Sequence, residues 1–307
     1  MKKLDVYFQA DGQTRALGEL SENDRRICFE YTAEFLSEPF DLSPYTLPLK
    51  PGPQRHEDLE FGPFFGLFAD SLLGFRFDGS PLDQLALLGS DCPGALSYNT
   101  PSEQADDSWR RKLYANPEDA RIEYAYSRMA TAAGIITAEV ELLEASDGVY
   151  LRVHRADRSD GIRHHVHSLV GLTQRSCGDY ELLLRVTREL CANERDVEAA
   201  LRLMVFNILA HNYAEFAGDV FFRMHADGSW QLAPLSGLCF SPGRSVGATE
   251  AHIQQLGQGA GISEARTSRI IDDVSYSVAD WRRYAAEAGV SDGRSRDIYS
   301  AFPQLPW

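Results

Sequence analysis

The sequence predicts a mixed α+β protein in two parts, on three observations: an opening of short alternating strands, a helix followed by two strands in the middle, and a second half dominated by helical spacing. At 307 residues with 44% apolar content, the chain is long enough to bury a substantial core. Its charged fraction of 24%, with ordinary glycine and proline, excludes a disordered or collagen-like chain.

Leu4–Gln9 alternates between apolar and polar positions and is followed by Asp11-Gly12, then by Ala16–Leu20 and Ile27–Tyr31. These predict three strands of a meander. The prolines of Leu42–Pro53 keep that stretch out of any helix, because each lacks an N–H and pushes its predecessor into extended backbone. Phe64–Leu73 and Pro81–Leu88 have helical spacing and close a small subdomain near residue 100. The polar stretch Thr100–Asp119 reads as a connection. From Glu123 a helix runs to Gly134, and Ala138–Leu143 with Val149–Val153 predict a strand pair turning at Asp147-Gly148.

Asn193 is a cap, and after it Val197, Ala200, Leu201, Met204, Val205, Ile208 and Leu209 recur at three- and four-residue steps, which predicts a buried helix. An irregular segment, His211–Asp219, follows. Val220–Arg223 and Trp230–Leu232 then form a hairpin about Asp227-Gly228, and helices are expected near 248–259 and 263–288.

The formal charge of −15 repels phosphate backbones, so direct nucleic-acid binding is not expected and a basic partner is favoured. Five cysteines, at 28, 92, 177, 191 and 239, are odd in number and form no Cys-x-x-Cys pair, which suits a reducing compartment. The start has no apolar leader, and no long apolar run occurs. A cytoplasmic protein without a membrane segment is expected.

Several strings, in this order, carry a family resemblance. They are Leu42-Ser-Pro-Tyr-Thr-Leu-Pro-Leu49, Phe68-Ala-Asp-Ser-Leu72 with Leu85-Ala-Leu-Leu-Gly89, Gly94-Ala-Leu-Ser-Tyr98, Glu123-Tyr-Ala-Tyr with Met129-Ala and Ala133-Gly-Ile, Arg155-Ala-Asp-Arg158, Met204-Val-Phe-Asn-Ile-Leu209 and Leu232-Ala-Pro234. Together they resemble the HipA-type toxin serine/threonine kinases over nearly the whole chain. The resemblance implies a two-lobed, protein-kinase-like α+β fold. Its N-terminal lobe would span 1–153, as a β-rich subdomain (1–100) and a shortened αββ part (101–153), and a helical C-terminal lobe would span 154–307. It also implies a HipB-like antitoxin as a protein partner, which would bring any DNA contact. A small-molecule ligand is a further expectation.

Phosphoryl transfer needs a backbone cradle for the phosphates, a lysine on them, acidic metal ligands and a carboxylate to orient the acceptor. The family's glycine-rich loop should lie between Tyr98 and Glu123, yet Asn99–Asp107 contains no glycine. Lys112 is the one lysine there, and in Arg110-Arg-Lys112 it reads as part of a solvated charge cluster. By the resemblance, the family's catalytic aspartate falls at Ala214, its histidine at Phe216, its lysine at Gly218, its metal-binding asparagine at Asp219 and its second metal ligand at Gly237. The resemblance therefore implies a degenerate, pseudokinase-like member. No metal and no cofactor are expected, and ATP with magnesium would bind only at a remodelled site.

An alternative is an enzyme that has reused the cleft, or a kinase with relocated groups. His211 and Glu215 share a face if the helix continues through them, and with Asp219 they are the candidate catalytic set. At the hinge string, His154, Arg155, Asp157 and Arg158 are candidates to bind an anionic ligand or partner, with an ion pair between the arginines and Asp157 as the other reading. His164-His165-Val-His167 has a metal-like spacing, but no acid or cysteine follows to complete a shell, so a surface loop is expected.

Overall fold

The structure is a computed structural model, and it describes residues 2–10, 13–23, 26–55, 66–72, 77–99, 108–146, 148–159, 161–175, 180–213, 220–241 and 249–303. Two compact units are each assembled from three stretches of chain. The first takes Met1–Ser108, Ala156–Ser176 and Phe221–Trp230, and the second takes Trp109–Arg155, Cys177–Val220 and Gln231–Trp307. This division interleaves along the chain and so differs from the contiguous spans 1–153 and 154–307.

In the first unit, the meander forms as expected from β1 (Lys2–Ala10), β2 (Gln13–Asn23) and β3 (Arg26–Tyr31), all antiparallel. With β4 (Gln54–Arg55) and β5 (Leu96–Tyr98) the sheet order is β4-β3-β2-β1-β5. Alternation along β1 turns Leu4, Val6 and Phe8 into the core. Gly18 on β2 allows the sheet to close, because a Cβ there would come within 2.3 Å of the Glu30 carbonyl oxygen. Phe29 packs on Phe68 with ring centres 5.0 Å apart, and Tyr31 stacks on Phe35 at 5.3 Å.

Thr32 caps α1 (Ala33–Ser37). The next helix, α2, covers Gly66–Ala69 and passes into a 3-10 turn at Asp70–Leu72, while 64, 65 and 73 of the expected span lie outside the described residues. The third, α3, is Pro81–Leu88 as expected, held at its start by reciprocal Ser80 and Asp83 hydrogen bonds. Later come β9 (Arg158–Ser159), β10 (Ile162–Arg163), β11 (Val166–Ser168) and α5 (Leu169–Thr173).

In the second unit, Trp109–Leu113 is a strand, β6, inside the stretch expected to be a mere connection. Most of its side chains are exposed, so hydrophobic alternation gave no signal, and pairing with Gly148–His154 (β8) organises it instead. With Val140–Ala145 (β7) the sheet order is β6-β8-β7. The helix before β7 is α4 (Pro117–Ala132), which starts ahead of Glu123 because Asn116 caps it and proline sits in its first turn. Next are α6 (Tyr180–Cys191), a helix beyond those expected from the sequence, and α7 (Glu194–Leu209), capped by Asn193.

The hairpin is β12 (Phe221–Met224) and β13 (Trp230–Leu232), and at the first residue of β13 the chain leaves the first unit. Helix α8 (Glu250–Gly259) follows. The single helix expected over 263–288 is two, α9 (Glu264–Ala279) and α10 (Trp281–Glu287), divided at Asp280, and α11 (Asp292–Ala301) ends the described fold. The core of this unit places the Tyr126 ring 5.1 Å from that of Trp281, with the Tyr126 hydroxyl donating to the Ala210 carbonyl at 2.6 Å.

Candidate functional site

Helix α4 buries one acid, Glu123, against the three-stranded sheet, leaving it 4% exposed. Burial of a carboxylate is costly unless it is paired, and two donors meet Glu123 Oε2: Lys112 Nζ on β6 at 2.5 Å and the Tyr114 hydroxyl at 2.6 Å. Burial and the Glu123 charge push the Tyr114 phenol up, so it remains a donor. The Lys112 side chain is 44% exposed, which leaves its ammonium open to a second anion.

Lys112 is therefore not simply one member of a solvated cluster. Its neighbour Arg111 places its guanidinium 3.7 Å from the centre of the Tyr150 ring. A strand lysine paired with a glutamate on the next helix is the arrangement that kinases use to hold phosphates. The sequence carried a signal for it, a lone lysine shortly before an acid on a helix's apolar face, but the polar run of β6 masked the strand. The expected missing phosphate cradle falls on 99–107, of which all but Asn99 lie outside the described residues.

The Ala233-Pro-Leu segment is fastened beside β7 by Leu235 N–H donating to the Ile136 carbonyl at 2.9 Å and Ala138 N–H donating to the Leu235 carbonyl at 2.8 Å. Two residues on, Gly237 has φ of +77°, a backbone that favours glycine. It offers no donor where the family resemblance puts a metal ligand. Among the described residues no group of three or more His, Cys, Asp or Glu side chains is placed to hold a metal ion.

Helix α7 ends at Leu209, and His211 has φ of 50°, so the helix does not continue and the same-face argument for His211 and Glu215 fails. The His211 carbonyl accepts from Ser241 N–H at 2.8 Å, and its ring lies against Tyr213 and Phe240. Partial burial lowers the pKa of this imidazole. Glu215 and Asp219, together with Ala214, Phe216 and Gly218, lie outside the described residues.

The four hinge candidates are divided between the units. His154 and Arg155 belong to the second, where the His154 ring meets Trp109 edge-on at 5.2 Å. Asp157 and Arg158 belong to the first and are both buried. Arg158 Nη1 meets Asp157 Oδ2 at 2.7 Å and donates to the Gly94 carbonyl at 2.9 Å, while Gly94 N–H donates to Asp157 Oδ2 at 2.7 Å. The intramolecular ion pair is thus formed.

The histidine string is not a surface loop. His165 and His167 are 1% and 0% exposed, because Val166–Ser168 pairs antiparallel with Phe221–Met224 instead of looping out. Among the described residues, no helix is long and apolar enough to cross a membrane.

No curated protein matches the sequence significantly. The structure is similar to HipA in a Shewanella oneidensis MR-1 toxin–antitoxin complex of HipA, HipB and operator DNA, at 14% identity and a TM-score of 0.68, over 97% of this chain and 94% of that one. It also matches the Helicobacter pylori proinflammatory kinase CtkA, at 12% identity and a TM-score of 0.28, over 65% of this chain and 77% of that one, a likeness too slight to argue from. The family model for the HipA N-terminal domain matches residues 4–99 and that for the HipA-like C-terminal domain matches 95–298, and on these two matches the chain, with its mixed α+β, kinase-like fold, belongs to the HipA family.

Proposed function

We propose that this HipA-family protein acts by binding, as a pseudokinase, and does not carry out ordinary phosphoryl transfer. Gly237 carries the reading. The position that resembles the family's metal-binding aspartate has no side chain, and Ala214 supplies no carboxylate at the position of the acceptor-orienting acid. Loss of an acid or base positioned at the reacting group costs about 10²–10⁴ in rate, and loss of metal charge neutralisation costs several kcal/mol more.

The partner class is a HipB-like protein in a cytoplasmic toxin–antitoxin or regulatory setting. Support comes from the Shewanella HipA, which is found with HipB and operator DNA. The net charge of −15 favours a DNA contact through that partner over one through this chain. The Lys112–Glu123 pair supports a second, compatible reading, in which Lys112 receives the phosphate of a small ligand without magnesium.

Incubation of the full chain with γ-labelled ATP and magnesium, alone and with a HipB-like protein encoded beside it, should leave both proteins unlabelled. Stoichiometric label on either would overturn the reading. Lys112→Met should lower stability by about 1–3 kcal/mol through loss of the charged hydrogen bond to Glu123. It should also abolish any shift in melting temperature produced by ATP without magnesium. A nucleotide shift that survives in the variant would place the phosphates elsewhere.

A further inference from the structure

Three side chains distant in sequence meet inside the first unit. His167 Nδ1 lies 2.5 Å from Asp70 Oδ2, and His167 Nε2 lies 2.9 Å from Ser43 Oγ. The pairs are 97 and 124 positions apart along the chain. Asp70 is itself oriented by two donors, Ser168 N–H to Oδ2 at 2.7 Å and Ser168 O–H to Oδ1 at 2.6 Å. A carboxylate held in this way is an acceptor, so the imidazole carries its proton on Nδ1 and presents Nε2 as a base to the Ser43 hydroxyl. Thr46 Oγ1, 2.7 Å from Ser43 Oγ, can donate to the same oxygen.

Hydroxyl, base and base-orienting acid in sequence are the arrangement that activates a serine. Nothing in the kinase-like site of the second unit uses them. Ser43 is only 1% exposed, but the residues that follow it, Pro44 and Tyr45, lie at the surface in a stretch with no helix or strand before Gln54. The proline also sets a limit. The residue after a nucleophile commonly lends its N–H to the developing oxyanion, and Pro44 has none. Absence of one such donor costs about 10²–10³ in rate, which favours a single covalent event over rapid turnover.

We propose that Ser43 is an activated nucleophile that takes an acyl or phosphonyl group from a small, reactive electrophile of the activated-ester class, with His167 as its base and Asp70 as the positioning residue. For an aryl ester, Ser43 Oγ forms the new bond to the carbonyl carbon, its proton passes to His167 Nε2, and the bond to the aryl oxygen breaks as the phenolate leaves and is protonated.

The test is covalent labelling of the native full chain with a fluorophosphonate and with p-nitrophenyl acetate, read by intact mass and peptide mapping. One adduct at Ser43 is expected, absent in Ser43→Ala and absent after heat denaturation. Its rate should rise with pH through one titration and then level, and should fall at least tenfold in His167→Gln. Failure of the folded chain to label at Ser43 overturns the proposal. So does labelling at the wild-type rate in a His167→Gln variant that melts normally. Should that variant not fold, a wild-type rate that climbs with hydroxide without levelling has the same consequence, because it removes the imidazole from the step.

Discussion

Acidification below pH 6.5 is expected to destabilise the fold by a little over ~1 kcal/mol per pH unit through His165 alone. Its imidazole is fully enclosed. Nε2 donates to the Leu42 carbonyl at 2.9 Å, Nδ1 has no hydrogen-bond partner among the described residues, and the rings of Phe8 and Trp230 stand edge-on at 5.9 and 5.4 Å. The charged form would have to sit among these groups, and burial, reinforced by the neighbouring His167, lowers the pKa from 6.5 to about 3.

The unfolded chain takes up a proton at 6.5 and the folded chain does not until about 3, so within that window the unfolded state binds more protons. Stability from this group is complete above pH 6.5 and is lost as the pH falls toward about 3, to a total of about 4–5 kcal/mol. About a third or more of a typical folding free energy of roughly 5–15 kcal/mol is thus exposed to acid through one side chain. Urea unfolding of wild type and His165→Gln at several pH values measures it. The variant should show a pH slope smaller by close to one proton, and an unchanged slope would remove His165 as the cause.

Asp157→Ala is expected to cost about 3–5 kcal/mol, the range for removing one member of a buried ion pair. The change takes the carboxylate from Arg158, which is 7% exposed, and the acceptor from Gly94 N–H. Asp157→Asn should cost less, since an amide oxygen can still accept from Gly94. The loop carrying Cys92 and Gly94 is also gripped by Arg163, which donates to the carbonyls of Ser90, Gly94 and Leu96, so local order there should not vanish in the variant. Chemical denaturation gives the difference directly. A loss below about 1 kcal/mol would mean that the pair is a surface-like contact of little consequence.

The resemblance and the structure illuminate different residues of the kinase-like site. Glu123 is visible as part of a family string, but its partner Lys112 stands in the charge cluster Arg110-Arg-Lys112, which reads as solvated, and nothing in Trp-Arg-Arg-Lys-Leu alternates to signal a strand. Its strand exists through pairing with Tyr150–His154. The His211–Glu215 idea assumed a continuing helix, and the left-handed backbone at His211 denies it. The break is accompanied by a long-range hydrogen bond, Ser241 N–H to the His211 carbonyl, which no local periodicity signals.

By itself, the sequence determined the elements whose signals are local: the alternating meander of β1 to β3, the capped α3 and α7, and the glycine turns at Gly148 and Gly228. Order and spacing of its short strings also determined the family. Only the tertiary structure decided that His165 and His167 are core residues, that Lys112 meets Glu123, and that Ser43, Asp70 and His167 converge. The physical reason is common to all three. A buried polar group must find its partner in space, and the chain places that partner wherever the packing of apolar faces brings it, not at a fixed interval in sequence.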